Sequence, residues 1–255
     1  MKKDLSVGNV FSTTRGGDCV IIQYSNFDNI LVEFLDVSKY RVKVRGSDLR
    51  KGKVKNLFYP SVCGVGYLGD GEFKSRVDNK KTEAYRCWCS MLARCYAPLK
   101  CKSKNAYKGC TVHKDWHNFQ VFAKWYYNNK FKGQGYHLDK DILVEGNKLY
   151  SEKTCCLVPR EINSLLLDNK ASRGDYLQGV TYVEKNGSFL AQLRKYSKPF
   201  HIGCYQTEIL AATAYKREKE AHVKSVALEW KDKIDEKVFN TLMNWTFKEG
   251  VADVN

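Results

Sequence analysis

The chain has 255 residues, room for two or three compact units. It carries 43 Lys plus Arg against 28 Asp plus Glu, a formal net charge of +15 that points to a polyanionic partner. A hydrophobic fraction of 43% is enough for packed cores, and no apolar run approaches the roughly 20 residues a membrane helix needs, so no membrane partner is expected. The charged start Met1-Lys2-Lys3-Asp4 is not followed by an apolar signal segment, and the reading is a soluble intracellular protein. In a reducing compartment its ten cysteines are expected to be mostly small buried hydrophobes, not a disulfide framework.

Residues 1–77 read as a small β-barrel domain. Val20-Ile21-Ile22-Gln23-Tyr24, Asn29 to Phe34 and Tyr40-Arg41-Val42-Lys43-Val44 are strands, with a turn over Ser25 to Asp28. Gly64, Gly66, Gly69 and Gly71 lack a strand-then-helix context and read as flexible turns. A helix opens near Thr82, with Tyr85, Trp88, Met91, Leu92 and Cys95 on one stripe and Pro98 ending the pattern. A second helix is expected from Asp115 as N-cap, burying Trp116, Phe119, Phe122, Ala123 and Tyr126. Gly133 and Gly135 stop it.

The most informative stretch follows. Gly135-Tyr136-His137-Leu138-Asp139-Lys140-Asp141-Ile142, Gly146-Asn147-Lys148 and Glu161-Ile162-Asn163 read as strand, polar loop, second strand and helix start. Asp139 and Asp141, two apart on an extended segment, are expected on one side, with Asn163 approaching from the helix. Carboxylates and amides at such joints suit a divalent metal held against a phosphate. On the plain alternative, Asp139 and Asp141 are surface carboxylates paired with Lys140 and Lys148.

After a linker from Asn169 to Asp175, three strands are expected at Gly179 to Val183, Ser188 to Tyr196 and Phe200 to Tyr205. Lys185-Asn186-Gly187 supplies the hairpin turn. Phe189, Ala191 and Leu193 are expected to pack inward, and Leu190, Gln192, Arg194 and Tyr196 to face out. A helix follows Thr207, and a last one runs from about Asp235.

Residues 83 to 168 resemble the phage homing-type HNH endonucleases. The resemblance is carried by Tyr107 to Val112, Asp115-Trp116, Leu138 to Ile142, Gly146-Asn147-Lys148, Tyr150-Ser151, Cys155 and Val158 to Asn163. It implies Asp139 and Asn163 as ligands of Mg²⁺ or another divalent cation. Lys140 stands at the place of the family's base histidine, so His137 is the candidate replacement. Asn147, or Thr154, stands for the middle asparagine. Residues 176 to 222 resemble the APETALA2-type DNA-binding domain through Gly179-Val180, Gly187 to Arg194, His201 to Thr207 and Ala211 to Tyr215. This implies double-stranded DNA as partner, held by Gln192, Arg194 and His201, with Lys195 and the linker residue Arg173 adding to the basic surface.

The expected fold class is α+β in three units. These are the barrel (1–77), an HNH-like ββα-metal module with flanking helices (78–168), and a three-stranded sheet with helices (169–255). The expected function is metal-dependent cleavage of duplex DNA in the cytoplasm of a bacterial host. The alternatives are a DNA-binding protein without cleavage, or a phage protein engaging a host protein, for which the aromatic fraction of 13% speaks. Cys95, Cys101, Cys110, His113 and His117 lie close in sequence but contain no Cys-x2-Cys knuckle, which disfavours structural zinc.

Overall fold

The computed structural model describes residues 4–14, 16–97, 107–166 and 175–248. The chain is α+β and divides into two compact units: residues 1–129 with 148–152, and residues 130–147 with 153–255. The division falls inside the stretch that resembles the HNH module.

The first unit opens with four antiparallel strands in the order β1 (Val10–Thr13), β2 (Gly17–Asn26), β3 (Asn29–Phe34) and β4 (Arg41–Val44). Strand β3 alternates strictly, burying Ile30, Val32 and Phe34 against Phe11, Cys19 and Ile21. The expected barrel is not formed. Closure requires the first and last strands to pair, and β1 and β4 do not. After β4 the chain turns into the short helix α1 (Gly46–Arg50), whose buried Leu49 joins this core.

A short hairpin of β5 (Arg76–Val77) and β6 (Lys80–Lys81) leads to α2 (Glu83–Tyr96). The Thr82 hydroxyl caps it, accepting from the Tyr85 N–H. Trp88, Met91 and Leu92 are buried along the expected stripe, and the Trp88 indole donates to the Trp116 carbonyl at 2.7 Å. Pro98 lies outside the described residues. Beyond β7 (Thr111–Val112), the second helix begins later than expected. Residues Lys114–His117 form a tight 3₁₀ turn, and α3 (Phe119–Asn128) starts behind Asn118, whose side chain accepts from the Gln120 N–H. Asn118 outcompetes Asp115 because Trp116 must turn inward to pack edge-on against Phe122 before the helix begins. The glycine-rich segment is packed rather than free. Gly66 lies against Trp88 and Leu92, and the Gln120 carboxamide bonds to the backbone of Leu68 and Phe73.

The second unit begins with β8 (Tyr136–Asp139). The chain then contributes β9 (Leu149–Tyr150) to the first unit, pairing in parallel with β7. It re-enters the second unit as β10 (Cys156–Pro159), antiparallel to β8 with Cys156 opposite Asp139. Helix α4 (Arg160–Leu165) follows directly. An antiparallel sheet of β11 (Val180–Val183), β12 (Ser188–Lys195) and β13 (Lys198–Tyr205) comes next, with Gly187 left-handed in the first turn at φ 58°. Then come α5 (Glu208–Glu229), capped by Thr207, and α6 (Glu236–Met243), capped by Asp235.

Helix α5 closes two cores. Its first half sets Ala211 and Ala212 against Val180 and Ala191 of the sheet. Its second half sets Val223, Val226 and Ala227 against Ile142, Cys156, Val158, Ile162 and Leu165 of the β8–β10–α4 layer, with Val238 and Leu242 of α6 completing that core. The strand β11 enters so close to α5 that a Cβ on Gly179 (φ +77°) would collide with the Tyr215 ring. Gly179→Ala is therefore expected to lower the unfolding free energy by about 3 kcal/mol, measured by urea denaturation followed by circular dichroism.

Candidate functional site

The strand–loop–strand–helix order makes a ββα layer, and its open side is a cleft of about 920 Å³. Strand β8 presents Asp139 to it, α4 presents Asn163, and Asn240 and Thr241 of α6 line it together with Asn244 just beyond that helix. Alternation in β8 buries Leu138 and leaves the exposed His137 on the same strand face as Asp139.

The Asp139 carboxylate is partly buried. Its Oδ1 accepts the N–H groups of Asp141 and Ile142, both at 2.7 Å, which fixes the start of the loop. Its other oxygen has no hydrogen-bond partner among the described residues. Burial raises the Asp139 pKa above the ordinary carboxylate value; the two N–H bonds and Lys140 oppose the shift, and Asp141 adds to it. The Asn163 carboxamide is half-buried and likewise without a partner among the described residues.

The strand ends at Asp139, so Asp141 does not sit two places along an extended segment as expected. It reaches the same cleft from the turn, with its carboxylate 2.5 Å from the Lys140 ammonium. Lys140 is only 7% exposed. It also donates to the Asn147 carbonyl at 2.7 Å, and the Asn147 carboxamide donates back to the Lys140 carbonyl at 2.8 Å. The two residues lock the loop, and neither borders the cleft; nor does His137. Lys148, the partner expected for a surface carboxylate, instead donates to the Lys108 carbonyl. Thr154 is half-buried.

Sequence reasoning missed one cleft residue, Lys219. The buried positions of α5 run Ala211, Ala212, Tyr215, His222, Val223, Val226, Ala227, and Lys219 occupies the helical step between Tyr215 and Val223. Its ammonium donates to the Leu165 carbonyl at the end of α4, at 2.7 Å, and burial lowers its pKa. A lysine on an otherwise apolar stripe was the available signal, hidden inside the charged run Lys216 to Glu220. Glu145 pairs with Lys248 and Asp141 with Lys140, whereas Asp139 and Lys219 form no ion pair among the described residues.

In the sheet, Gln192, Arg194 and His201 are all exposed on one face, with Gln192 and His201 directly opposite across β12 and β13. A bulge beside Ala191 and Gln192 keeps Cys204 on that face, 3.9 Å from the His201 Nε2. Arg194 donates to the Ser197 carbonyl at 3.0 Å. Lys195 points to the other face, where it pairs with Glu218 of α5 and lies over the Phe200 ring. Arg173 lies outside the described residues. In the first unit Cys110 is buried, the His113 Nδ1 accepts from the Asp115 N–H, and His117 stands edge-on to Tyr96. Cys101 lies outside the described residues. Among the described residues no three His, Cys, Asp or Glu side chains converge on one point, and none of the helices is long and apolar enough to cross a membrane.

Comparison with protein-family models, with curated protein sequences and with solved structures returned no match.

The raised Asp139 pKa has a defined consequence for stability. The folded state holds the carboxylate less well ionised than the unfolded chain does, so stability falls as pH rises from the ordinary Asp value through the folded one. An Asn oxygen accepts the same two N–H groups without the charge. Asp139→Asn is therefore expected to be at least as stable as the native chain at pH 7 and to lose this pH dependence in thermal melts. Asp139→Ala, which abandons both N–H groups, is expected to lose about 1–2 kcal/mol.

Proposed function

We propose that this protein is a metal-dependent endonuclease of the phage homing HNH type, a hydrolase that cleaves phosphodiester bonds in duplex DNA. The observation that carries this reading is Asp139. It is a partly buried carboxylate with one oxygen fixed by two backbone N–H groups and the other unengaged, facing the same cleft as the unengaged Asn163 carboxamide. The donor set fits a divalent cation. A hard oxygen pair is offered, and a cation there would offset the burial that disfavours ionised Asp139. When bound by Asp139 and Asn163, such an ion supplies Lewis acidity toward the phosphate and toward water.

The chain's own groups have separable parts in this scheme. The N–H groups of Asp141 and Ile142 aim the Asp139 carboxylate. The Lys140–Asn147 exchange of hydrogen bonds holds the loop that carries them. His137, two residues before Asp139 on the same strand face but outside the cleft lining, would take a proton from the attacking water at the cleft's margin. The basic excess of the chain and the exposed Gln192, Arg194 and His201 favour a duplex laid along the sheet. The sheet and the cleft belong to the same compact unit.

A second reading, DNA binding without cleavage, is favoured by one observation. Lys140, at the family's base position, is consumed by loop contacts, and His137 does not border the cleft.

Plasmid nicking separates the two readings. With Mg²⁺ or Mn²⁺ the native protein is expected to relax supercoiled DNA, Asp139→Asn to be inactive while folded, and His137→Ala to be slower by about 10²–10⁴-fold. DNA left intact by the native protein across metals would leave only the binding reading. Arg194→Ala is expected to weaken duplex binding by about 1–3 kcal/mol and to flatten its salt dependence, read by fluorescence anisotropy. Unchanged affinity and slope would remove the sheet from the interface.

A further inference from the structure

The second unit contains another hollow, of about 500 Å³, walled by α4, by the turn joining β12 to β13, and by α5. His222 lines it and is only 6% exposed, yet neither ring nitrogen has a hydrogen-bond partner among the described residues. The Tyr196 ring stands edge-on to it at 5.4 Å, which fixes the imidazole plane. Two cations share the lining. Arg194 spends one N–H on the Ser197 carbonyl, and Lys219 spends one of its three donors on the Leu165 carbonyl. Glu161 is the only acidic side chain among the described residues of the lining.

The imidazole is open to a ligand, because the only side-chain polar atom wholly shut off from solvent without a partner among the described residues is Ser188 Oγ. Arg194 and Lys219 line the same hollow, each with donors to spare. We propose that this hollow is a phosphate-binding site in which Arg194, Lys219 and His222 receive one oxyanion. The site is separate from the Asp139 cleft, although Lys219 borders both. The volume exceeds that of a bare phosphate and leaves room for an attached sugar against Leu193 and Trp230. Two sources share this chemistry, a phosphate of the nucleic-acid backbone and a free phosphate; the first rests on the DNA reading above, and the second does not. Burial, together with Lys219 and Lys195, lowers the His222 pKa, against the opposing Glu229 and Glu218. The ring therefore enters as a neutral donor, and an arriving anion will change its resonances.

The test uses the full chain labelled at the histidine nitrogens, titrated separately with inorganic phosphate and with a duplex oligonucleotide while the imidazole resonances are read. The His222 resonances are expected to move in a saturable way. Arg194→Ala, a change on an exposed side chain outside both cores, is expected to weaken the response by about tenfold or more. Lys219→Met is expected to weaken it comparably, with a thermal melt confirming that each variant is folded. Movement with both titrants assigns the ligand to a backbone phosphate, and movement with phosphate alone to a free one; each supports the site. Silence of His222 toward both titrants, or an equal response in folded Arg194→Ala, overturns it. His201 on the sheet face reports independently. If it moves with duplex while His222 stays silent toward both titrants, the DNA reading stands and the phosphate site falls.

Discussion

The second unit depends on one helix being buried twice. At about 1.5 Å per residue, the 22 residues of α5 span some 33 Å, long enough for its two halves to serve different layers. The first half gives small alanines to the sheet, which lets β11 and β12 approach closely. The second half gives Val223, Val226 and Ala227 to the ββα layer. Each fully buried aliphatic side chain contributes about 1.5–3 kcal/mol, so neither layer is expected to keep its shape if α5 detaches. The same helix thereby fixes the sheet face bearing Arg194 relative to the cleft bearing Asp139, without a dedicated linker having to do so.

Lys219 sits at the seam of this arrangement. An apolar residue at that step would simply extend the stripe. A lysine there is desolvated and satisfied by the free carbonyl end of α4, where a cation also complements the helix dipole. It joins α4 to α5 and places a positive charge on two hollows at once. Asp139 is the acidic counterpart. Its carboxylate is held where burial disfavours its charge, although an uncharged amide would cap the same turn. Groups kept in environments that oppose their ionisation concentrate at functional sites, which is why this pair, rather than the exposed ion pairs around it, frames the functional reading.

Much of the local structure was legible. The caps Thr82, Thr207 and Asp235, the stripe of α2 and the in–out alternation of β12 all follow from short-range rules: a side-chain oxygen reaching a nearby N–H, and periods of 3.6 and two residues. The ββα order was legible for the same reason. The start of α3 was misplaced because two cap residues, Asp115 and Asn118, compete, and the choice falls to how Trp116 packs. Strand-and-turn patterning suggests a barrel at the N-terminus but does not encode whether the outer strands meet, and here they do not pair.

What the sequence determined by itself, then, is the run of helices and strands, their buried faces, and the electropositive character of the whole, since each is set by residues within a few positions or by a simple sum of charges. What only the tertiary structure decided is that the sheet stays open, that Lys140 and Asn147 are spent on each other, that Asp139 and Asn163 share a cleft, and that a lysine and a histidine of α5 are drawn inside. Apart from the Lys140–Asn147 exchange, which spans seven positions, those outcomes depend on contacts between residues tens of positions apart. Burial of a charge is a property of the surroundings a side chain is folded into, and periodicity along the chain carries no record of it.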